Sequence, residues 1–258
     1  MTSAVLVSGL RAVLLLGSVL MVLKLYHTGL YRHYPIFFAF FIFRIPNSIW
    51  PLFLDVSSNL YLHVWVLTDP IGLGFYVLMM VELYKLVLEK YKGLYSLGRW
   101  ALYVSLAISL GISAITLLPR IKPRMPQSSK IMAYVLATDR GIDTALAIFI
   151  VLILCFLSLF PVTLSRNVRM HALIFSIFFL SNTFVLLMRS LFGMRLGNEM
   201  NTLLMGITAA SVVAWLTLLR TAGEDARLAP VPFGPQHESR LLAHLDTLNA
   251  ALLRASGR

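Results

Sequence analysis

Apolar, charge-poor stretches close to twenty residues long recur along almost the whole chain. They are Ala12–Tyr26, Ile36–Leu54, Ile71–Leu88, Ala101–Leu118, Thr144–Leu164, Leu173–Met188 and Leu203–Leu219. A helix needs about 20 residues to cross about 30 Å of hydrocarbon, so the pattern predicts an all-α fold: a polytopic membrane bundle of about seven transmembrane helices. Composition agrees, because 59% hydrophobic against 13% charged residues in a 258-residue chain would leave a soluble core with too much wet apolar surface. The bundle is expected to occupy residues 1–221. A linker at 222–236, stiffened by Pro230, Pro232 and Pro235, then leads to a short amphipathic tail helix over 237–258.

The net charge of +11 does not point to nucleic acid, since Lys and Arg stand mainly between the apolar spans, where cations hold loops against an anionic leaflet. Lys24 and Arg32 follow the first span and place the amino terminus outside and the tail inside. Lys90, Lys92, Arg99, Arg166, Arg169, Arg220 and Arg227 agree, whereas the basic 120–140 stretch runs against that orientation. Met1–Leu10 holds no Lys or Arg, unlike a secretory signal, and the first span is expected to be retained. The single Cys155 lies inside a span and reads as a small packing residue.

Spans one and two share a grammar with spans five and six. Leu30 and Arg32 correspond to Leu164 and Arg166, and one further residue of offset aligns Asn47 with Asn182. The similarity is either a chance product of apolar composition or a repeat, in which case helices one to three and five to seven form parallel halves joined by helix four. Thr68-Asp-Pro-Ile71 reads as a capped helix start, and Asp143-Thr144 as another. In the tail, Leu241, Leu245, Leu248 and Leu252 are spaced four, three, four, as in a coiled-coil seam. That seam predicts either a homodimer through the tail or a helix lying on lipid.

Ionisable side chains inside the bilayer cost at least about 2.5 kcal/mol each, so their positions are informative. Arg44 lies roughly 13 Å beyond Pro35 and Glu82 roughly 10 Å from Glu89, by helical rise. Similar depths predict an Arg44–Glu82 ion pair that Asn47 joins, acting as a static clamp or as a relay. A second group gathers towards the expected outer ends: Arg11, Trp50, Trp65, Asp69, Asp143 and Arg189. Charges of both signs beside aromatics suit a pocket for a small polar or amphipathic ligand, although capping and interfacial belts account for the same residues.

Catalytic signatures are missing. His27, His33, His63 and His171 have no metal-ligand spacing, no cysteine pairs exist, and neither a nucleophile elbow nor a phosphate loop occurs. Asp139-Arg-Gly-Ile-Asp143 lacks the downstream acids of a metal loop, and the last span has no Lys for retinal. The expectation is therefore a non-enzymatic protein with no metal and no cofactor.

Tyr31-Arg-His-Tyr-Pro35, Trp65–Asp69, Val81-Glu-Leu-Tyr84 and the Leu-rich tail after a Pro linker resemble a group of uncharacterised bacterial seven-helix membrane proteins. The layout is also similar to the seven-helix sensor modules that precede bacterial kinase or cyclase domains. Those resemblances imply a bacterial inner membrane and a receptor-like or scaffolding role, sensing a small or lipid-embedded ligand. No kinase or cyclase domain follows the tail, so signalling is expected to run through a cytoplasmic partner in trans. The alternative is a small-solute transporter with parallel 3+1+3 halves, in which Asn47 and Asn182 line a midplane site. Transport predicts a water path past both amides, whereas sensing predicts a closed bundle and a dimerising tail.

Overall fold

A computed structural model of the chain describes residues 2–54, 58–88, 92–117, 127–159, 164–192, 197–225, 227–228, 243, 245–252 and 254. Seven long helices appear among them: α1 Thr2–His27, α2 Pro35–Phe53, α3 Asn59–Val87, α4 Lys92–Leu117, α5 Gln127–Leu159, α6 Arg166–Phe192 and α7 Gly197–Leu218. A short helix, α8 (Ala222–Asp225), follows, and the two-residue strands β1 (Leu164–Ser165) and β2 (Arg227–Leu228) pair antiparallel. Five of the long helices, α1, α3, α5, α6 and α7, are long and apolar enough to cross a membrane.

Two helix starts differ from expectation. Ser58 caps α3, its hydroxyl accepting the Tyr61 N–H at 3.1 Å, so Pro70 lies inside the helix. The Thr68 hydroxyl donates to the Val64 carbonyl at 2.9 Å, a back-bond that exists only within a helical turn. A proline costs a membrane helix less than a soluble one, because neighbours and hydroxyls re-satisfy the freed carbonyl. Likewise α5 already begins at Gln127, and Asp143 sits in its middle instead of capping it. Of the basic 120–140 stretch, Lys130 and Arg140 are on this helix; Arg120, Lys122 and Arg124 lie outside the described residues.

Helix contacts define a ring. α1 packs on α2, α2 on α3, α3 on α5, α5 on α6, α6 on α7, and α7 closes back on α1. α4 stands outside that ring, chiefly against α5. Exchanging α1–α3 with α5–α7 maps these six ring contacts onto one another, but α3 also touches α6, a contact with no counterpart of similar size between α7 and α2. Two glycines allow the close approaches. A Cβ at Gly17 of α1 would meet Val212 Cγ1 of α7 at 2.7 Å, and one at Gly141 of α5 would meet Leu110 of α4 at 2.9 Å.

The outward faces are apolar in helical register: Leu16, Leu20 and Leu23 on α1, Val104, Ile108, Ile112 and Ile115 on α4, and Leu173, Ile177, Leu180 and Phe184 on α6 are all exposed. In water such stripes would be aggregation sites; against acyl chains they are the expected solvent contact. Inside, aromatic rings fill half of the ring's length. Phe37 of α2 meets His171 of α6 edge-on at 4.3 Å, His171 stacks on Phe175 at 5.1 Å, and Trp215 of α7 meets Phe37 at 5.0 Å. Edge and stacked contacts of this kind add to the energy of burial. Buried Ser18, Ser176 and Ser211 spend their hydroxyls on carbonyls one turn back in their own helices.

Candidate functional site

The two ends of the ring treat their polar groups differently. At the end that holds the Leu30–Arg32 turn, Pro35 opens α2 and the preceding Tyr34 offers no side-chain cap, leaving amides without helical partners. Glu82 of α3 supplies them. Its buried carboxylate accepts the N–H of Ile36 at 2.9 Å and of Phe37 at 3.1 Å, an anion at the positive end of a helix. This corrects the expected Arg44–Glu82 pair. Arg44 stands more than two turns further along α2, about 12 Å by helical rise, and backbone amides compete successfully for the carboxylate.

Glu224 of α8 organises the rest of this clamped end. It accepts the Tyr34 hydroxyl at 2.6 Å, the Asn167 amide at 2.6 Å and the Ser165 hydroxyl at 3.2 Å. Asn167, fully buried, also donates to the Arg220 carbonyl at 2.8 Å and accepts the Arg220 N–H at 3.3 Å. Lys24 of α1 donates to the Leu216 carbonyl at the end of α7. Burial first, then the Glu224 carboxylate, raises the Tyr34 hydroxyl far above the usual phenol range. The start of α2, the start of α6 and the end of α7 are thereby tied together.

Towards the other end a cavity of about 350 Å³ opens inside the ring. Arg44 and Asn47 reach it from α2, Asp69 and Tyr76 from α3, Asp139 and Asp143 from α5, Asn182 from α6 and Thr208 from α7. Asn47 accepts the Trp50 indole N–H at 2.8 Å through its carbonyl. Arg44 lies 5.6 Å from the centre of the Phe40 ring and has no carboxylate partner among the described residues. Two buried carboxylate oxygens, Asp69 Oδ2 and Asp143 Oδ1, have no hydrogen-bond partner among the described residues.

The expected outer pocket is thus redrawn. Asp69 and Asp143 belong to the cavity, and Arg44 and Asn47, assigned elsewhere by depth, join them. Arg11 is exposed on α1, while Trp50 packs on Tyr61 at 4.9 Å and Trp65 is half-buried on α3; none of the three lines the cavity. Arg189 belongs to α6, with its side chain outside the described residues. Tyr76, Asp139 and Thr208 were missed, although Asp139 stands one turn before Asp143 on the same face, a signal the sequence did carry. Of the tail leucines, Leu241 lies outside the described residues. Leu245 is buried and Leu252 packs on the bundle's own core, while Leu248 is exposed.

Among the described residues no three His, Cys, Asp or Glu side chains converge as a metal site. No family model, no curated protein and no solved structure matches this chain.

Proposed function

We propose that the chain crosses the membrane seven times, with α2 and α4 among the spans, and carries a small solute through two parallel three-helix units joined by α4. One observation carries this reading. Asn47 and Asn182, the two amides paired by the weak sequence repeat, line the same cavity although they come from different halves of the ring. Parallel-repeat transporters place their substrate at the repeat interface near the midplane. A bacterial cytoplasmic membrane with the amino terminus outside remains the proposed setting.

The receptor reading required a closed bundle and a free leucine seam. A cavity inside the ring would serve either reading, whereas a seam half spent on its own bundle favours carriage. The aromatic layer around Phe37, His171 and Trp215 would then be the closed gate, and alternating access would require the two halves to rock about it.

Accessibility tests this. With Cys155 replaced by Ser, single cysteines at Asn47→Cys and Asn182→Cys in proteoliposomes should both react with a membrane-impermeant thiol reagent. If neither reacts from either side while an exposed-loop cysteine does, the carrier reading fails.

A further inference from the structure

Asp69 and Asp143 bring carboxylates and Arg44 a guanidinium to the same cavity. Asp143 is 8% exposed and its Oδ1 has no partner; Asp69 Oδ2, from a different helix, is equally bare. Both carboxylates face the cavity. Arg44, from a third helix, leans on the Phe40 ring and pairs with neither. Tyr76 of α3 lines the same cavity. In hydrocarbon surroundings a guanidinium and carboxylates that line one cavity would be expected to find each other unless the fold keeps them apart.

We infer, on the reading of this cavity as a substrate site, that its ligand is a small zwitterion whose ammonium group is held by Asp69 and Asp143 and whose carboxylate is held by Arg44. A bare cation would leave the Arg44 guanidinium buried and unanswered, and a bare anion would leave the two carboxylates so. A metal ion is poorly served, because no three ligands converge among the described residues. A molecule carrying both charges satisfies both ends at once, with a charge-assisted, two-pronged contact at the guanidinium. The volume, about 350 Å³, is at the small end of ligand pockets and suits a molecule of amino-acid size. Phe40, Phe43 and Leu73 on the wall offer apolar contact to its side chain.

The test uses the full chain in lipid nanodiscs and three sets of probes: the neutral L-α-amino acids, their carboxamides, which are cations, and their N-acetyl derivatives, which are anions. At least one amino acid should raise the thermal unfolding midpoint, and its amide and its N-acetyl derivative should each bind at least about tenfold more weakly, ~1.4 kcal/mol per decade. Asp143→Asn should abolish binding while the protein still melts cooperatively. Arg44→Lys should weaken binding, because a point charge replaces the planar fork. If the Asn47→Cys and Asn182→Cys proteins are labelled from water and yet no amino acid binds, this inference falls and the carrier reading stands. An amide that binds as tightly as its parent acid also overturns it. Cysteines that stay unlabelled overturn both.

Discussion

The clamped end and the cavity end are built from the same residue types and use them oppositely. At the clamped end two carboxylates are answered, Glu82 by two backbone amides and Glu224 by a phenol, an amide and a hydroxyl. At the cavity end Asp69 and Asp143 keep bare oxygens, and Arg44 has a ring for a neighbour. Answered groups in low dielectric fix geometry, because removing either partner leaves a buried orphan. Unanswered groups cost stability in the resting protein, and on the proposed reading a solute would answer those in the cavity. The comparison therefore separates residues that hold the fold from residues that serve it, and substitutions should show opposite signs at the two ends.

The largest effect is expected at Glu82. Glu82→Ala strips the cap from α2 and leaves two amides unpaired, lowering unfolding free energy by about 3 kcal/mol in a detergent unfolding titration, whereas Glu82→Gln keeps one acceptor and should cost about half as much. An alanine variant as stable as the parent would break the comparison at its strongest point.

Leu245→Ala should follow at about 2–3 kcal/mol for a buried leucine, read as faster proteolysis of the tail. The neighbouring Leu248→Ala should change nothing measurable, since that side chain is 44% exposed. Equal effects at the two positions would mean that the tail leucines do not distinguish bundle from solvent.

Tyr34→Phe should cost about 1 kcal/mol for one hydrogen bond, and it adds a pH signature. The folded protein holds the Tyr34 proton more tightly than the unfolded chain does. Its contribution to stability is then complete below about pH 10, the ordinary phenol value, and is lost progressively as pH rises above it. Subtracting the Phe variant's alkaline unfolding curve from that of the parent should isolate this decline. Parallel curves would show that the clamp does not depend on the phenol proton.

The smallest effect carries the opposite sign. Asp143→Asn removes a charge with an uncompensated oxygen, and stability should stay level or rise by up to about 1 kcal/mol, while solute binding is lost. A large destabilisation there would turn the cavity end into a second clamp.

Much of the architecture was legible. Apolar stretches gave the helices, because length and the lack of charge decide whether a segment crosses lipid. Their starts were less legible: Thr68-Asp-Pro has the chemistry of a cap, yet Ser58 outcompetes it and Pro70 is absorbed within α3. The site was half legible. Asp69, Asp143, Arg44 and Asn47 stood out for being expensive to bury, but grouping them by depth alone paired Arg44 with Glu82. Depth says nothing about which face a side chain takes, and it overlooked the backbone amides beside Pro35 as rivals for the carboxylate. Asn182 emerged only from an alignment of repeats, and Tyr76 carried no signal that set it apart from a packing aromatic.

Hydrophobic length along the chain, by itself, determined an all-helical molecule with lipid-facing stripes, since each helix satisfies its own backbone and needs no distant partner to do so. Neighbourhood was decided only by the tertiary structure: that α3 meets α5, that α7 closes on α1 at Gly17, and that the acids of α3 and α5 open into one space with Arg44. Helices in lipid have no strong hydrophobic drive towards any one partner. Small-residue contacts and the amide-to-carboxylate bonds at the clamped end choose among the arrangements, and those depend on facing, which one-dimensional spacing does not record.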